Sequence, residues 1–372
     1  MATTTRTSGV RAALLLMIGC ANGASAGGPA AQLLPRDHIE FQPAVGQTLS
    51  IPFTLAKSGA VSVALYTADR DLVRTLKSNA PLAAGRHALN WDGRDDRGQL
   101  VPDEAYHPVL TCACGEAQNL VVDSRANTGG VVIERIPTTL GSDGTITFDL
   151  PQPARSLVRI GVKGGAMMRA IDAWRPRSAG RVRVEWDGYD ASGVVRLPGQ
   201  PGLTVLVTAF SLPDHSIITS GNGAVDYFAY RKDRRWGAPL ASADPGPLQR
   251  NGKRVSRQAS LPRSLLQDPR VSMTIVDKLS KTSSGAVKVS GPVTFRVDMP
   301  QEDKWLVQQS LYEVGFFLDH QFVSEEETGY TPLSWRWDPA GIAPGEHLMT
   351  VNISGFWGQV GVASIRLMIA DK

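Results

Sequence analysis

An eight-residue pattern, W-D-G-x-D-x-x-G, occurs twice in this chain, and the two copies are 95 residues apart. Its fixed positions are Trp91, Asp92, Gly93, Asp95 and Gly98 in the first copy and Trp186, Asp187, Gly188, Asp190 and Gly193 in the second. Agreement at five positions, with similar flanking segments, indicates a duplicated unit. A period of this length matches one β-sandwich domain and is too long for a solenoid repeat.

The segments around both copies have the alternating pattern of β-strands. In residues 60–65, 145–150 and 293–299, every second side chain is bulky and apolar, which places those side chains on one face of a strand. The connections are too short for helical crossovers, so antiparallel sheets are expected. Only residues 263–267 and 304–311 have patterns compatible with short helices. The fold class predicted is therefore all-β.

The N-terminus has the pattern of a secretory signal peptide over residues 1–26. Two arginines precede a short apolar run, 12–18, and an A-x-A cleavage site ends at Ala26, so the mature chain is expected to begin at Gly27. The alternative is a lipoprotein signal, with a lipobox-like segment that ends at Cys20 and a lipid anchor on that residue. No later stretch reaches the roughly 20 consecutive apolar residues of a membrane span. We expect a periplasmic, cell-surface or secreted protein.

Basic residues are concentrated in one segment of the chain. Residues 231–270 contain ten Lys or Arg and three Asp or Glu, whereas the formal net charge of the whole sequence is +4. A nucleic-acid-binding domain would spread its basic residues over a folded face with aromatic residues for stacking. This distribution argues against nucleic acid as a partner. Apolar and polar residues alternate little in residues 226–270, so this segment is predicted to be an exposed basic linker or insertion.

The two motif regions resemble a known kind of domain. From Leu49 to Cys112, the chain has an apolar strand, a strand ending L-V-R-T-L, A-G-R-H, the W-D-G motif and V-P-x-x-x-Y. This order resembles the Ig-like domain of the flagellar hook-capping protein. The second copy is similar from about residue 145 to 210 but departs from the pattern at 194–202. The resemblance implies immunoglobulin-like β-sandwiches that serve as structural or adhesive modules, and it implies no catalytic residues.

The C-terminal third resembles a different bacterial Ig-like domain, the kind attached to exported enzymes and surface proteins. The resemblance rests on the strand 312–319, the turn W-D-P at 337–339 and A-P-G-E-H at 343–347. The expected organisation is tandem antiparallel Ig-like β-sandwiches. The boundaries predicted are a signal peptide at 1–26, Ig-like domains at 36–125 and 129–225, the basic segment at 226–270, and a C-terminal Ig-like domain at 271–372.

The acidic residues of the first motif have two interpretations. Asp92, Asp96 and Asp103 fall at positions 1, 5 and 12 of a twelve-residue loop, as in a calcium site, but Arg94 occupies position 3 and the second copy lacks the later carboxylates. The structural interpretation is favoured: the tryptophan closes the sandwich core, the aspartates bind turn N–H groups, and the glycines adopt positive φ. No metal or cofactor is predicted.

Cys112 and Cys114 are the two cysteines that remain after signal removal. An oxidising compartment favours a disulfide between them, although C-x-C in regular β geometry would be strained. The alternatives are free or intermolecular thiols and a redox or soft-metal role.

The C-terminal domain is the predicted place of partner contact. An apolar strand, an acidic group and aromatic residues occur close together there, and mixed patches of this kind are common at interfaces; the candidate residues are Phe316, Glu325, Glu326, Glu327, Tyr330 and Trp335. We expect a non-catalytic, exported structural or protein-interaction protein whose partner is an envelope or extracellular protein. The alternatives are an accessory subunit of an exported enzyme and a carbohydrate or surface-ligand binding protein. Carbohydrate binding would require exposed tryptophans. The candidates are Trp174, Trp236, Trp305 and Trp357.

Overall fold

The computed structural model describes residues 29–115, 119–237, 246 and 248–370. The predicted signal peptide and Cys20 lie outside the described residues. The described chain forms three β-sandwiches in which most strand pairs are antiparallel, which confirms the predicted fold class of tandem Ig-like domains. No helix within these ranges combines the length and apolar character needed to cross a bilayer.

The first sandwich contains eight strands from the N-terminal part of the chain. These are β1 (Ala31–Leu33), β2 (Glu40–Phe41), β3 (Leu49–Leu55), β4 (Gly59–Tyr66), β5 (Leu72–Leu82), β6 (Gly85–Trp91), β7 (Ala105–Ala113) and β8 (Leu120–Asp123). One sheet has the order β1-β3-β6, and in the other β4 lies between β5 and β7. Trp91 and Tyr106 are fully buried and meet edge to face, with ring centroids 5.2 Å apart.

The second sandwich repeats this plan. Its strands are β9 (Val132–Ile133), β10 (Thr138–Leu140), β11 (Ile146–Leu150), β12 (Ala154–Val162), β13 (Met167–Arg177), β14 (Gly180–Val184) and β15 (Leu203–Ser211). β11 lies between β10 and β14, and the other sheet has the order β13-β12-β15-β9. β4 and β12 begin 95 residues apart, as do β5 and β13, so the spacing of the sequence motif is also the spacing of the strands.

After the second sandwich the chain returns to the first. Strand β16 (Ile217–Thr219) pairs in parallel with β2 and antiparallel with β7, so it fills a place in the sheet of the first sandwich. The sequence assigned these residues to the second domain, 129–225. We propose that the second domain ends before Ile217, because the hydrogen bonds of β16 belong to the first sandwich.

Helix α1 (Tyr227–Asp233) continues this return. Asp226 caps its N-terminus by accepting bonds from the N–H groups of Phe228 and Ala229. The buried face of the helix carries residues at positions i, i+3, i+4 and i+7, namely Tyr227, Tyr230, Arg231 and Arg234. The prediction of an exposed basic linker is wrong for this helix, because the two arginines are buried against aspartates of the first sandwich.

The rest of the basic segment lies across the junction of the sandwiches. It contains β17 (Gln249–Arg250), β18 (Lys253–Arg254), helix α2 (Arg257–Ser260) and a 3-10 turn at Arg263–Leu265. Arg263, Leu265 and Leu266 are buried. Further on, Gln359 donates to the carbonyl of Leu265 at 2.8 Å. The segment therefore packs on the protein and leads directly into the third sandwich.

The third sandwich contains β19 (Ser272–Ile275), β20 (Val287–Val289), β21 (Val293–Asp298), α3 (Gln301–Gln308), β22 (Tyr312–Leu318), β23 (Gln321–Glu326), β24 (Leu333–Trp337), β25 (Gly345–Gly355) and β26 (Val360–Ile369). One sheet has the order β19-β21-β24 and the other β20-β26-β25-β22-β23. In β22 and β21 every second residue is buried, in agreement with their alternation. β23 is the edge strand of the larger sheet.

The second and third sandwiches are joined by hydrogen bonds between a side chain and the backbone and by apolar packing. The side-chain amide of Asn352 donates to the carbonyl of Met167 and accepts from its N–H, both at 2.8 Å. Phe317 and Leu348 of the third sandwich pack into the apolar core of the second. The interface is therefore a continuous packed contact between neighbouring domains.

The order of trypsin cleavage should distinguish the exposed from the buried basic residues of this segment. Within residues 226–270 we expect cleavage after Lys253 and Arg254, which are exposed, before cleavage after Arg231, Arg234 or Arg263, which are at most 8% exposed. Mass spectrometry of early digestion products measures the order. First cuts after the three buried arginines would contradict the packing of α1 and of the 3-10 turn.

Candidate functional site

The two W-D-G motifs form the same turn. Trp91 Nε1 donates to the carbonyl of Arg94 and Trp186 Nε1 to that of Tyr189, each at 2.9 Å. Asp95, which is fully buried, accepts from the N–H groups of Arg97 and Gln99 at 2.9 Å. Asp190 accepts in the same way from Ser192 and Val194. The motif residues are therefore engaged in closing one end of each sandwich.

Two further residues complete the turn, and the sequence analysis missed them. Arg74 donates to the carbonyl of Asp95, and Arg169 donates to the carbonyl of Asp190. The two arginines lie on β5 and β13 and are themselves 95 residues apart. Comparing residues 95 positions apart outside the W-D-G segment would have found these two arginines.

The first turn has an additional role, which is to hold helix α1. The carboxylate of Asp95 also accepts from the hydroxyl of Tyr230 at 2.8 Å and from Arg234 at 3.1 Å, and Asp96 pairs with the same guanidinium. Burial, together with the hydrogen bond to this carboxylate, raises the pKa of Tyr230 above its ordinary value. The first W-D-G turn is thus the anchor of helix α1.

The three aspartates of the alternative calcium loop bind different protein groups. Asp92 accepts from the N–H of Arg94, and Asp96 pairs with the arginine of α1. Asp103 accepts from the N–H of Asn222 at 2.7 Å. In the described ranges, no group of three His, Cys, Asp or Glu side chains is arranged to hold a metal.

The two cysteines lie at the end of β7. The structure pairs Cys112 with Cys114 in a disulfide, with Cα atoms 5.3 Å apart, and both residues are buried in the core of the first sandwich. That separation lies inside the usual range for a disulfide. We propose that this bond forms on export to an oxidising compartment.

The predicted interface residues divide into core and surface. Phe316 is 1% exposed and stacks on Trp335 at a centroid distance of 4.2 Å inside the third sandwich. The prediction that Phe316 belongs to an interface patch is wrong, because β22 directs this side chain towards the opposite sheet. Trp335 is half-buried and packs against the same core.

The remaining candidates lie on or beside the edge strand β23. Glu325, Glu327 and Tyr330 are exposed, and Glu326 is half-buried. Next to them, Phe322 is 56% exposed. The strand pairs on one side with β22, and within the described residues no strand pairs with its other side. This combination of an open edge, an apolar residue and carboxylates is named here the β23 edge (residues 321–330).

Of the four tryptophans considered for carbohydrate binding, Trp174 is buried, Trp236 and Trp357 are half-buried, and Trp305 is exposed. Trp174 is buried against Phe210, and Trp236 packs edge to face on Tyr230. Trp305 is 44% exposed on α3. An aromatic groove would need several exposed rings, and of these four only Trp305 is exposed.

A buried ion-pair junction joins the first two sandwiches and the basic segment. Glu104 is 1% exposed, and its carboxylate accepts from Arg155 of the second sandwich at 2.6 Å and from Arg263 at 3.3 Å. Arg263 also donates to the carbonyl of Ala173 at 2.8 Å. One carboxylate thereby neutralises cations from two other parts of the chain.

Beside this junction lies a cavity of about 640 Å³, named here the junction cleft. His107 lies in its wall and is bonded to Ser216 at 3.2 Å. Burial, together with the charges of Arg125 and Arg155, lowers the pKa of His107 to about 3. The imidazole is therefore neutral at ordinary pH and adds no charge to the cleft.

Comparisons with known proteins give only weak structural likenesses. No protein-family profile and no curated protein sequence matches the chain. The central fibronectin-III array of RIM-binding protein is 10% identical, with 87% of this chain and 93% of that chain covered and a TM-score of 0.18. A 1.5-MDa bacterial ice-binding adhesin is 12% identical, with coverage of 90% and 95% and a TM-score of 0.18.

An enzyme also shows a partial likeness. The endo-beta-1,4-mannanase of Thermotoga petrophila is 15% identical over 31% of this chain and 23% of its own length, with a TM-score of 0.22. Likenesses at this level carry no functional argument, so the function has to be inferred from the geometry of the chain itself.

Two glycines of the first motif should respond differently to alanine. Gly93 has a φ of +71°, and a Cβ there would overlap the ring of Pro43, whereas Gly98 has a φ of +77° and open space around it. Gly98→Ala should cost about 1 kcal/mol from the left-handed backbone alone. Gly93→Ala should cost about 1–3 kcal/mol more, since the neighbouring ring must shift. Urea unfolding measures both, and equal losses would contradict the described packing.

Proposed function

We propose that this chain is an exported, non-catalytic interaction protein that presents the β23 edge to an extended, basic segment of an envelope or extracellular protein. Export rests on the signal pattern of residues 1–26. The observation that carries the interaction is the open edge of β23, where Phe322 and two exposed glutamates lie beside strand hydrogen-bonding groups that no described strand pairs with. An open edge of this kind accepts an added strand.

The charge of the edge supports a basic partner segment. Glu325 and Glu327 are exposed and form no salt bridge with any described residue, while other surface carboxylates such as Glu134 and Glu302 each pair with an arginine. Natural edge strands carry charge that discourages pairing between copies. The same carboxylates would attract lysines or arginines at alternate positions of an incoming strand.

The roles of the other distinctive residues support a module rather than an enzyme. The aspartates of both W-D-G motifs accept turn N–H groups, and their tryptophans fill the cores. Packed contacts between successive sandwiches hold the third domain against the second. In such an arrangement the packed domains hold the β23 edge in place for binding.

Photocrosslinking in the host cell tests this function. A photoreactive phenylalanine analogue placed at Phe322 should form an adduct with one exported protein, and mass spectrometry should locate the bond in an extended segment containing Lys or Arg. The matched control is the same analogue at Phe356, which is 55% exposed in the turn between β25 and β26. It should give no such adduct.

Charge reversal identifies the carboxylates as part of the site. Glu325→Lys with Glu327→Lys should reduce the adduct by about tenfold, because like charges would then face each other. Glu185→Lys, at an exposed position of the second sandwich, should leave it unchanged. Equal adducts at both phenylalanine positions, or an adduct insensitive to the double reversal, would refute the proposal.

A further inference from the structure

Two buried guanidinium groups have unused N–H donors at the junction cleft. Arg155 Nη2 and Arg263 Nη1 have no hydrogen-bond partner among the described residues. Their side chains are 5% and 9% exposed, and both residues line the cleft. A buried charged donor without a partner is costly, and native proteins rarely retain one. Both guanidiniums at the wall of the cleft therefore have hydrogen-bonding capacity that the described residues leave unused.

The cleft has an excess of positive charge. Among the described residues that line it there are five arginines, Arg70, Arg125, Arg155, Arg250 and Arg263, and one carboxylate, Asp69. The carboxylates paired with these arginines, Glu104 and Asp123, bring the acidic total to three. Among these described groups, an excess of two positive charges remains. This balance is matched by a ligand with about two negative charges.

The size and remaining wall of the cleft favour a small organic molecule. Its volume of about 640 Å³ lies within the usual range for ligand pockets, roughly 300–1,000 Å³. Phe210, Leu261 and Leu266 supply apolar surface close to the arginines. A lone inorganic ion would leave most of this volume and all of the apolar wall unused.

We propose that the junction cleft binds a small organic dianion, a phosphate monoester or a dicarboxylate, whose anionic group pairs with the guanidinium groups of Arg155 and Arg263. Glu104 holds both guanidiniums in place through their other nitrogens. The ligand contacts the first sandwich, the second sandwich and the basic segment, so its binding strengthens the junction. This site is separate from the β23 edge.

Calorimetric titration of the mature chain at constant ionic strength tests the site. The probes are glucose 6-phosphate, succinate, inorganic phosphate and neutral glucose. We expect saturable binding of glucose 6-phosphate or succinate, with a raised melting temperature because the ligand binds only the folded state. Inorganic phosphate should bind at least tenfold more weakly than the better of these two, and glucose should not bind.

Variants connect the binding to the two donors. Arg155→Lys with Arg263→Lys keeps a cation beside Glu104 but removes the free donors, so the affinity should fall at least tenfold. Because this change touches the junction, a second variant leaves it intact: Ala259→Trp, on the cleft wall, should block entry. Arg175→Lys, which pairs with Asp103 outside the cleft, is the control and should bind normally.

Each outcome decides the proposal. Binding of one organic dianion that both cleft variants weaken supports it, and the better ligand then identifies phosphate or carboxylate as the recognised group. Failure of all organic dianions to bind, binding of glucose with comparable affinity, or unchanged binding in Ala259→Trp would overturn it. Binding of inorganic phosphate alone would mean that the cleft holds only a simple ion, and would overturn the organic ligand.

Discussion

The buried carboxylate of Glu104 is the constraint on which the arrangement of the chain depends. Removing a carboxylate from water is unfavourable unless cations and N–H donors surround it. Here the cations come from Arg155 in the second sandwich and Arg263 in the basic segment, and the N–H of Ala105 donates at 2.7 Å. The first sandwich can therefore bury this group only when two later parts of the chain are in place. Loss of one partner of such a pair typically costs about 3–5 kcal/mol.

This dependence explains why the molecule differs from a simple series of independent sandwiches. The chain leaves the first domain, forms the second, returns to add β16 and α1 to the first, and then crosses the junction before the third domain begins. Aspartates of the first sandwich neutralise the arginines of α1. The junction cleft is a result of this path, because its walls come from three separate parts of the sequence.

The sequence allowed the strands, the fold class and the repeated turn to be predicted, because alternation and the W-D-G spacing are local signals. It did not reveal α1, whose buried stripe consists of tyrosines and arginines instead of aliphatic residues, so a search for an apolar stripe passed over it. Pairing of β16 with β7 is equally invisible locally, since its partner lies more than 100 residues away. For Phe316, the alternation of apolar residues predicted a strand with two faces, but it did not show which face packs against the opposite sheet. The junction cleft depends entirely on such long-range contacts and could not be predicted.

Native-state hydrogen exchange tests the central claim that the Glu104 junction couples the first two sandwiches. Peptides from β4 and β12 report on the opening of each domain. In the unmodified protein, the slowest amides of both strands should exchange with the same free energy of unfolding. In Glu104→Ala the two values should separate and at least one should fall. Different values in the unmodified protein, left unchanged by Glu104→Ala, would show independent domains and contradict the account.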